Sequence, residues 1–251
     1  DGTDYSVKEL IEIAKVCEKH GAIVIADEMY GELLHSTTYV PFHSMYEAVI
    51  TASGTAKMAS IAAGGIGYAI VPDIFKNPDP RQNLMTSLLT KKGQLQSSVN
   101  GAAQYISEKI YTDITDPNQN STKAYLEASR KVHKLVTNYI RERLFDLGFE
   151  VPAPDAGFYL FPTFQLKSPA YRPHGFLSSP MFCEQLIEKK GVAFIPGTEF
   201  GRPSGELSFR IACVAYDGEL ALHRMNKEME QGSDIESNDF KAQFMAEQCP
   251  K

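Results

Sequence analysis

Ala22-Ile23-Val24-Ile25-Ala26-Asp27-Glu28-Met29-Tyr30 and Ala48-Val49-Ile50-Thr51-Ala52-Ser53-Gly54-Thr55-Ala56-Lys57 are the two stretches of sequence that decide the fold. Each begins with an apolar run about as long as a strand and ends in polar side chains. A continuous apolar strand that follows a helix is typical of a parallel strand buried on both faces. Ligands bind at the carboxyl ends of such strands in an open α/β sheet. Four polar side chains therefore share one rim of the predicted sheet: Asp27, Tyr30, Ser53 and Lys57.

A helix precedes the first of these strands, and further elements follow the second. Ser6 and Glu9 form a capping-box pattern at the start of an apolar-periodic helix that Gly21 ends. Helices are also predicted over 84–111, 121–147, 179–190 and 217–231, and strands over 66–71, 158–161, 192–195 and 207–211. The pattern changes after the long helix. It predicts an α/β domain over residues 1–120, a small α+β domain over 121–231 and a polar tail, weakly helical, over 232–251.

The composition excludes several classes of protein. A hydrophobic fraction of 43% and a charged fraction of 22% are typical of a globular protein. The net charge of −6 disfavours a nucleic-acid binder. No apolar run is long enough to cross a bilayer, and the four cysteines lack the spacing of a metal site. The first four residues do not resemble a signal peptide, so we expect the protein in the cytoplasm or the mitochondrial matrix.

The polar side chains on the predicted rim suit one kind of chemistry. Lysine forms Schiff bases with aldehydes, and Lys57 stands at a strand end as that reaction requires. A carboxylate such as Asp27 keeps a pyridine nitrogen protonated, and Tyr30 can donate to a ring oxygen. Ser53 and the N–H groups of Gly54 and Thr55 can bind a phosphate. Taken singly, each side chain also has a plain interpretation as a surface lysine, a helix cap or a packing residue.

Six motifs, in order along the chain, resemble those of the fold type I aminotransferases of class I and II, which use pyridoxal phosphate. The segment 25–30 resembles their D-E-x-Y motif, and 53–57 resembles their S-x-x-x-K motif. The other four similar segments are Gly2 to Ser6, Asp155 to Pro162, Pro196 to Gly201 and Ser208 to Ala212. The resemblance extends to about residue 230.

The resemblance implies a fold and a set of roles. Residues 1–120 would be the C-terminal part of a large cofactor-binding domain, whose mostly parallel sheet carries helices on both faces. Asp27 would pair with the pyridine nitrogen, Tyr30 with the ring hydroxyl and Ser53 with the phosphate. Lys57 would form the internal aldimine and move the substrate proton, and Arg210 would bind the substrate carboxylate. We therefore expect a homodimeric transaminase of amino-acid metabolism that acts on an α-amino acid and a 2-oxo acid.

The sequence departs from the family pattern in two ways. Gly65 stands where the family has the arginine that neutralises the cofactor phosphate, which predicts weaker or lost cofactor binding. The Gly-rich phosphate loop, the ring-stacking aromatic residue and the asparagine of the N-P-x-G motif have no counterpart in these residues. We expect a partner chain or another segment to supply the rest of the large domain.

These departures leave two alternatives to the aminotransferase open. The chain could be a catalytically degenerate aminotransferase-like subunit with a structural role in a larger complex. It could also be a relative with other chemistry, such as a lyase or a decarboxylase, since these share the aspartate and the lysine. The preferred amino acid is not readable from these residues.

Overall fold

The computed structural model describes residues 2–35, 39–72, 78–96, 98–165 and 178–248. Its helices are α1 (Val7–His20), α2 (Thr55–Met58), α3 (Pro78–Leu95), α4 (Gly101–Thr115), α5 (Ser121–Asp146), α6 (Ser179–Lys190), α7 (Gly218–Gln231) and α8 (Asn238–Gln248). Its strands are β1 (Val24–Asp27), β2 (Val49–Gly54), β3 (Gly67–Ile70), β4 (Tyr159–Leu160), β5 (Thr163–Gln165), β6 (Ile195–Pro196) and β7 (Glu206–Ala212). Short 3-10 turns occupy Gly31–Leu33, Phe42–Ser44 and Gly197–Phe200.

The chain divides into two compact units. The N-terminal unit comprises Tyr5–Glu127, and the C-terminal unit comprises Ala128–Lys251 together with Asp1–Asp4. The division falls within α5. The assignment of residues 1–120 to a cofactor-binding domain and of residues 121–231 to a small domain stays a prediction.

Helix α1 begins and ends as the sequence predicts. The Ser6 hydroxyl accepts the N–H of Glu9, and the Glu9 carboxylate accepts the N–H of Ser6 at 2.8 Å, which completes the capping box. Gly21 ends the helix in the left-handed conformation, with φ of 59°. These local bonds satisfy backbone groups that a helix end otherwise leaves without partners.

The sheet of the N-terminal unit has the order β1-β2-β3. Strands β1 and β2 are parallel, with Val24 opposite Val49 and Asp27 opposite Ala52. Strand β3 is antiparallel to β2, and Gly54 pairs with Gly67. Because β1 and β2 run in the same direction, their carboxyl ends meet at one edge of the sheet. That edge carries the predicted site residues of this unit.

Strand β1 is buried on one face rather than on both. Val24 and Ala26 pack against the small core formed by Ala14 of α1 with Phe42 and Val49. The opposite face carries Ile23 and Ile25, which are 59% and 73% exposed. The prediction of burial on both faces is therefore wrong for the residues that the structure describes. The apolar run fits a two-sided strand, but covering its second face depends on other elements, which a local pattern does not reveal.

The helix predicted over 84–111 is two helices in the structure. Helix α3 ends at Leu95, and α4 begins after Asn100, whose side chain accepts the N–H groups of Ala102 and Ala103. The linker predicted over 113–120 is shorter in the structure, since α4 continues to Thr115.

Among the described residues, no helix combines the length and the apolar composition that a bilayer crossing requires.

Strand β7 is the centre of the C-terminal unit. Strands β4, β5 and β6 all pair with it in the antiparallel direction. Leu207, Phe209 and Ile211 alternate along β7 into a core that α5, α6 and α7 cover, and each buried side chain contributes roughly 1.5–3 kcal/mol. Helix α8 confirms the weak helical pattern of the tail. Its buried residues Phe240 and Phe244 join the same core.

Candidate active site

Asp27 and Tyr30 lie where the sequence predicts them, at the carboxyl end of β1 and just beyond it. Asp27 is the last residue of β1 and is exposed. Its Oδ1 accepts the N–H of Met29 at 3.3 Å, a bond that aspartate often makes two residues along the backbone. Tyr30 is half-buried and directly precedes the turn Gly31–Leu33. The carboxylate therefore faces solvent at the strand end, where a ligand can meet it.

Glu28 lies between these two residues and makes several bonds that the sequence did not predict. Its N–H donates to the carbonyl of Ala52 at 2.9 Å, and its own carbonyl accepts the Ser53 hydroxyl at 3.3 Å. Its carboxylate accepts the Tyr39 hydroxyl and, at 2.8 Å, the N–H of Phe42. Glu28 belongs to the D-E-x-Y motif, but the motif does not indicate its partners. Tyr39 and Phe42 reach Glu28 only because the chain returns to the sheet 11 and 14 residues later.

Lys57 lies in α2, which starts as soon as β2 ends at Gly54. Lys57 is half-buried. Helix α2 is attached to α4 by the buried side chain of Thr55, whose hydroxyl bonds to the Ser107 hydroxyl at 2.8 Å. The N–H of Thr55 donates to the carbonyl of Ile66 at 3.0 Å. The prediction that this N–H binds a phosphate is therefore wrong in this structure, because the donor already has a backbone partner.

Ser53 and Asp27 project to opposite faces of the sheet. Asp27 pairs with Ala52, and successive side chains of a strand alternate between faces, so Ser53 points to the other side. On that side Ser53 lines a cavity of about 140 Å³. Other polar residues line it too, namely Glu28, Glu32, Tyr39, His43, Thr51, Tyr68 and Tyr111. Among the predicted site residues of this unit, Ser53 lines the cavity, whereas Asp27, Tyr30 and Lys57 do not.

Burial raises the pKa values of two tyrosines that line this cavity. It raises the pKa of Tyr39 far above its usual range, and the adjacent Glu28 carboxylate raises it further. Burial also raises the pKa of Tyr111, whose hydroxyl donates to that of Tyr68 at 3.1 Å. Both phenols are therefore protonated at neutral pH and serve as hydrogen-bond donors.

Gly65 has no room for a side chain. A Cβ atom built on it would lie 2.6 Å from both the Cα and the Cβ of Ala56, and 2.8 Å from its backbone nitrogen. Adjacent Gly64 has nothing within 4 Å of the same atom. The backbone around residue 65 therefore leaves no room for the expected arginine, since even the Cβ of an alanine would collide with Ala56.

Arg210 lies on β7 with its guanidinium over two aromatic rings. Its Cζ is 4.5 Å from the centroid of Tyr159 and 5.0 Å from that of Phe200. Among the residues that the structure describes, no carboxylate forms an ion pair with it. Cation–π contacts with these rings do not use the N–H donors of the guanidinium, which stay able to bind a ligand. Tyr159 and Phe200 both lie in segments that resemble family motifs, but the sequence pattern predicts no role for either ring.

Comparisons with known proteins identify the family. The family model for aminotransferase class I and II matches residues 1–220. The chain belongs to the class I and II aminotransferases. It is 28% identical to the aspartate aminotransferase of Bacillus subtilis, covering 92% of this chain and 55% of that protein. It is 25% identical to the asparagine–oxo-acid transaminase of Streptococcus mutans, with 92% and 55% covered.

Solved structures of this family share the fold. The aromatic aminotransferase from Pyrococcus horikoshii matches with a TM-score of 0.69 at 24% identity, over 92% of this chain and 57% of that chain. The predicted α/β aminotransferase fold is therefore confirmed. The chain spans about half the length of the curated relatives it matches.

Pyridoxal phosphate is the cofactor that this family implies, and its two ends fit the N-terminal unit unequally. The pyridine end fits, because an exposed carboxylate, a phenol and an amine follow two parallel strands at the same edge. Asp27, Tyr30 and Lys57 would hold that end. At the phosphate end, Gly65 supplies no cation and the N–H of Thr55 is already bonded. Among the described residues, no cluster of His, Cys, Asp and Glu suits a metal ion.

Proposed function

We propose that this protein is a pyridoxal-phosphate-dependent aminotransferase that exchanges an amino group between an α-amino acid and a 2-oxo acid. The observation that carries the proposal is the parallel pairing of β1 with β2, from Val24 opposite Val49 to Asp27 opposite Ala52. This register brings the carboxylate that follows β1 and the amine that follows β2 to one edge of the sheet. If Lys57 were only a surface lysine and Asp27 only a helix cap, the two side chains would have no reason to lie at the same edge of the sheet.

The residues of this edge have distinct roles in the proposal. When bound, pyridoxal phosphate supplies an electron sink for negative charge at the substrate Cα. Asp27 would keep the pyridine nitrogen protonated, and Tyr30 would donate a hydrogen bond to the ring oxygen. Lys57 would anchor the cofactor, and its amine would carry the proton that leaves the substrate Cα. Ser53 would bind the phosphate only if its hydroxyl leaves the carbonyl of Glu28.

Arg210 binds the substrate carboxylate in this proposal. The guanidinium plane matches a carboxylate through two parallel N–H···O bonds. The centroids of Tyr159 and Phe200 lie 4.5 and 5.0 Å from Cζ, and contact with both rings restricts the movement of the guanidinium. The flanking rings favour a ligand-binding role over a structural ion pair, because no carboxylate among the described residues occupies the donors.

The proposal extends to substrates and assembly. Aspartate is the first amino donor to test, with 2-oxoglutarate as acceptor, since relatives of this chain are named aspartate aminotransferases. We propose that the functional form is a homodimer, or that a partner chain completes the large domain. A cytoplasmic or mitochondrial-matrix location remains part of the same proposal.

The test compares Lys57→Ala with the unchanged protein at its native length. We expect the unchanged protein to absorb at the wavelength of lysine-bound pyridoxal phosphate, and borohydride to fix the cofactor on the peptide that contains Lys57. Lys57→Ala should lose the band and at least about a thousandfold of the turnover of aspartate with 2-oxoglutarate. Lys19→Ala, which removes an exposed lysine of α1, should change neither. A wild-type protein that takes up no cofactor would contradict the proposal.

A structural subunit is the second candidate, and the geometry at Gly65 favours it. The loss of one charge-assisted phosphate bond costs on the order of 1.5–3 kcal/mol, or about 10- to 150-fold in cofactor affinity. A subunit of this kind would copurify stoichiometrically with a larger complex and hold no cofactor. Turnover of any amino acid with 2-oxoglutarate by the purified protein would exclude this candidate.

A further inference from the structure

Glu28, in the middle of the segment from Asp27 to Tyr30, makes several of the bonds that hold this segment in place. Glu28 bonds through its N–H to the carbonyl of Ala52 and through its carbonyl to the hydroxyl of Ser53, so its backbone is attached to β2. Its carbonyl also accepts the N–H of Gly31 at 3.1 Å. By contrast, the Asp27 side chain accepts a local bond from the N–H of Met29, at 3.3 Å. The backbone of Asp27 pairs with Ala52 in the sheet, and the course of the chain directly after it depends on Glu28.

The Glu28 carboxylate attaches the same segment to a second, more rigid part of the unit. It accepts the N–H of Phe42 at 2.8 Å. Phe42 is buried in the core that contains Ala14 and Val49. A charged acceptor forms a stronger bond to a backbone N–H than a neutral one. Glu28 thus joins the end of β1 to the hydrophobic core behind the sheet.

Tyr39 closes this arrangement from the other side. Its hydroxyl donates to the Glu28 carboxylate, and its ring lies against the backbone of Gly31. A Cβ atom on Gly31 would lie 2.6 Å from the nearest ring carbon of Tyr39, so only glycine permits this contact. The ring therefore packs on the residue that directly follows Tyr30.

We propose that Glu28, acting with Tyr39, is the positioning residue for Asp27 and Tyr30. Glu28 holds the segment directly after Asp27, and Tyr39 holds it directly after Tyr30. The Asp27 carboxylate and the Tyr30 phenol therefore keep a fixed distance from β2, the strand that leads to Lys57. Glu28 touches neither substrate nor cofactor in this role. The inference rests on the proposed function for its catalytic consequence, but the clamp itself belongs to the protein without any ligand.

The first experiment measures backbone hydrogen exchange without added cofactor. Tyr39→Phe removes one hydroxyl, and Glu28→Ala removes the carboxylate. Tyr39→Phe should speed exchange over residues 28–34 by about five- to tenfold, the factor expected for one lost hydrogen bond, and Glu28→Ala should speed it further because it loses two. Tyr46→Phe is the matched control, since it removes the bond from another tyrosine of this unit to the carbonyl of Ala22. It should leave residues 28–34 unchanged. Unchanged exchange in Tyr39→Phe and Glu28→Ala would overturn the inference.

The second experiment separates positioning from general destabilisation. In the cofactor-loaded protein, Tyr39→Phe should lower kcat more than it raises KM for the amino donor, and should shift the pH dependence of the cofactor absorbance. Glu28→Gln keeps an acceptor oxygen and should recover part of the loss seen in Glu28→Ala, whereas the exposed Glu47→Gln should show no effect. A wild-type protein without cofactor would refute the proposed function, whereas a wild-type absorbance profile in Tyr39→Phe would refute the positioning role alone.

Discussion

Gly65 is constrained by backbone atoms rather than by flexible side chains. The atoms that a new Cβ would meet are the Cα, Cβ and backbone nitrogen of Ala56, one residue before Lys57. A clash with backbone cannot be relieved by a change of rotamer. The loop after Lys57 must therefore move if residue 65 is to carry any side chain.

We expect Gly65→Ala to lower the free energy of unfolding by about 1–3 kcal/mol, the usual cost of overpacking. Gly64→Ala is the matched control, because its Cβ would have nothing within 4 Å, and it should change stability by less than about 0.5 kcal/mol. Urea unfolding of both variants measures the difference. Equal stabilities would show that the two backbones are equally open.

Among single residues, the sequence predicted the positions of the site residues that belong to motifs at strand ends. Asp27, Tyr30 and Lys57 stand at the ends of apolar runs, and that pattern is local. Glu28 and Tyr39 could not be paired in advance, because their bond requires a loop to return to the sheet. The sequence did not reveal which face of the sheet the Ser53 side chain occupies. That face depends on the exact register of β2, because a shift by one residue moves every side chain to the other face.

Among the elements, α4 and α5 are joined by a buried carboxylate. Asp113, near the end of α4, accepts the N–H of Thr122 and, at 2.9 Å, the hydroxyl of Ser121 at the start of α5. These bonds, with Thr122 the larger contribution, lower the pKa of Asp113 below its usual range. A carboxylate at a helix start also interacts favourably with the helix dipole.

The pH dependence of stability follows from the direction of that shift. A carboxyl whose pKa is lower in the folded state stabilises the fold above its unfolded pKa of about 3.9, and the contribution is lost as the pH falls through the folded value. Asp113→Asn should therefore be less stable than wild type at pH 7, and the two unfolding curves should converge below about pH 4. Asp146→Asn, which removes an exposed carboxylate of α5, should differ by less than about 0.5 kcal/mol at pH 7.

The helices were easier to predict than the short strands. Ser6, Glu9 and Gly21 set the bounds of α1 through local bonds, and Gly191 ends α6 in the same way. Strands β4 and β6 have two residues each, and their existence depends on pairing with distant β7. A window of sequence cannot contain that information.

At the scale of the whole chain, the two units have cores of different size. The C-terminal unit buries an extensive cluster around β7 and α5, whereas the N-terminal unit has the small core of Ala14, Phe42 and Val49. Stability within a protein follows local contact density, so the two units should resist opening to different degrees.

Native-state hydrogen exchange at low denaturant concentrations tests this expectation. Amides of β7 should show higher free energies of opening than amides of β1. Leu160→Ala, at a fully buried side chain, should lower the values in β7 by about 2–5 kcal/mol. The exposed Leu147→Ala should leave them nearly unchanged. Equal protection of β1 and β7 would contradict the assignment of the stronger core to the C-terminal unit.

The contact between Gly65 and Ala56 also bears on how a phosphate site could be restored. An arginine at residue 65 needs Ala56 to lie farther away than it does here. A single Gly65→Arg substitution would therefore produce a misfit instead of a phosphate site. Gaining the cation requires several coordinated changes in this loop, whereas a single change is enough to remove it.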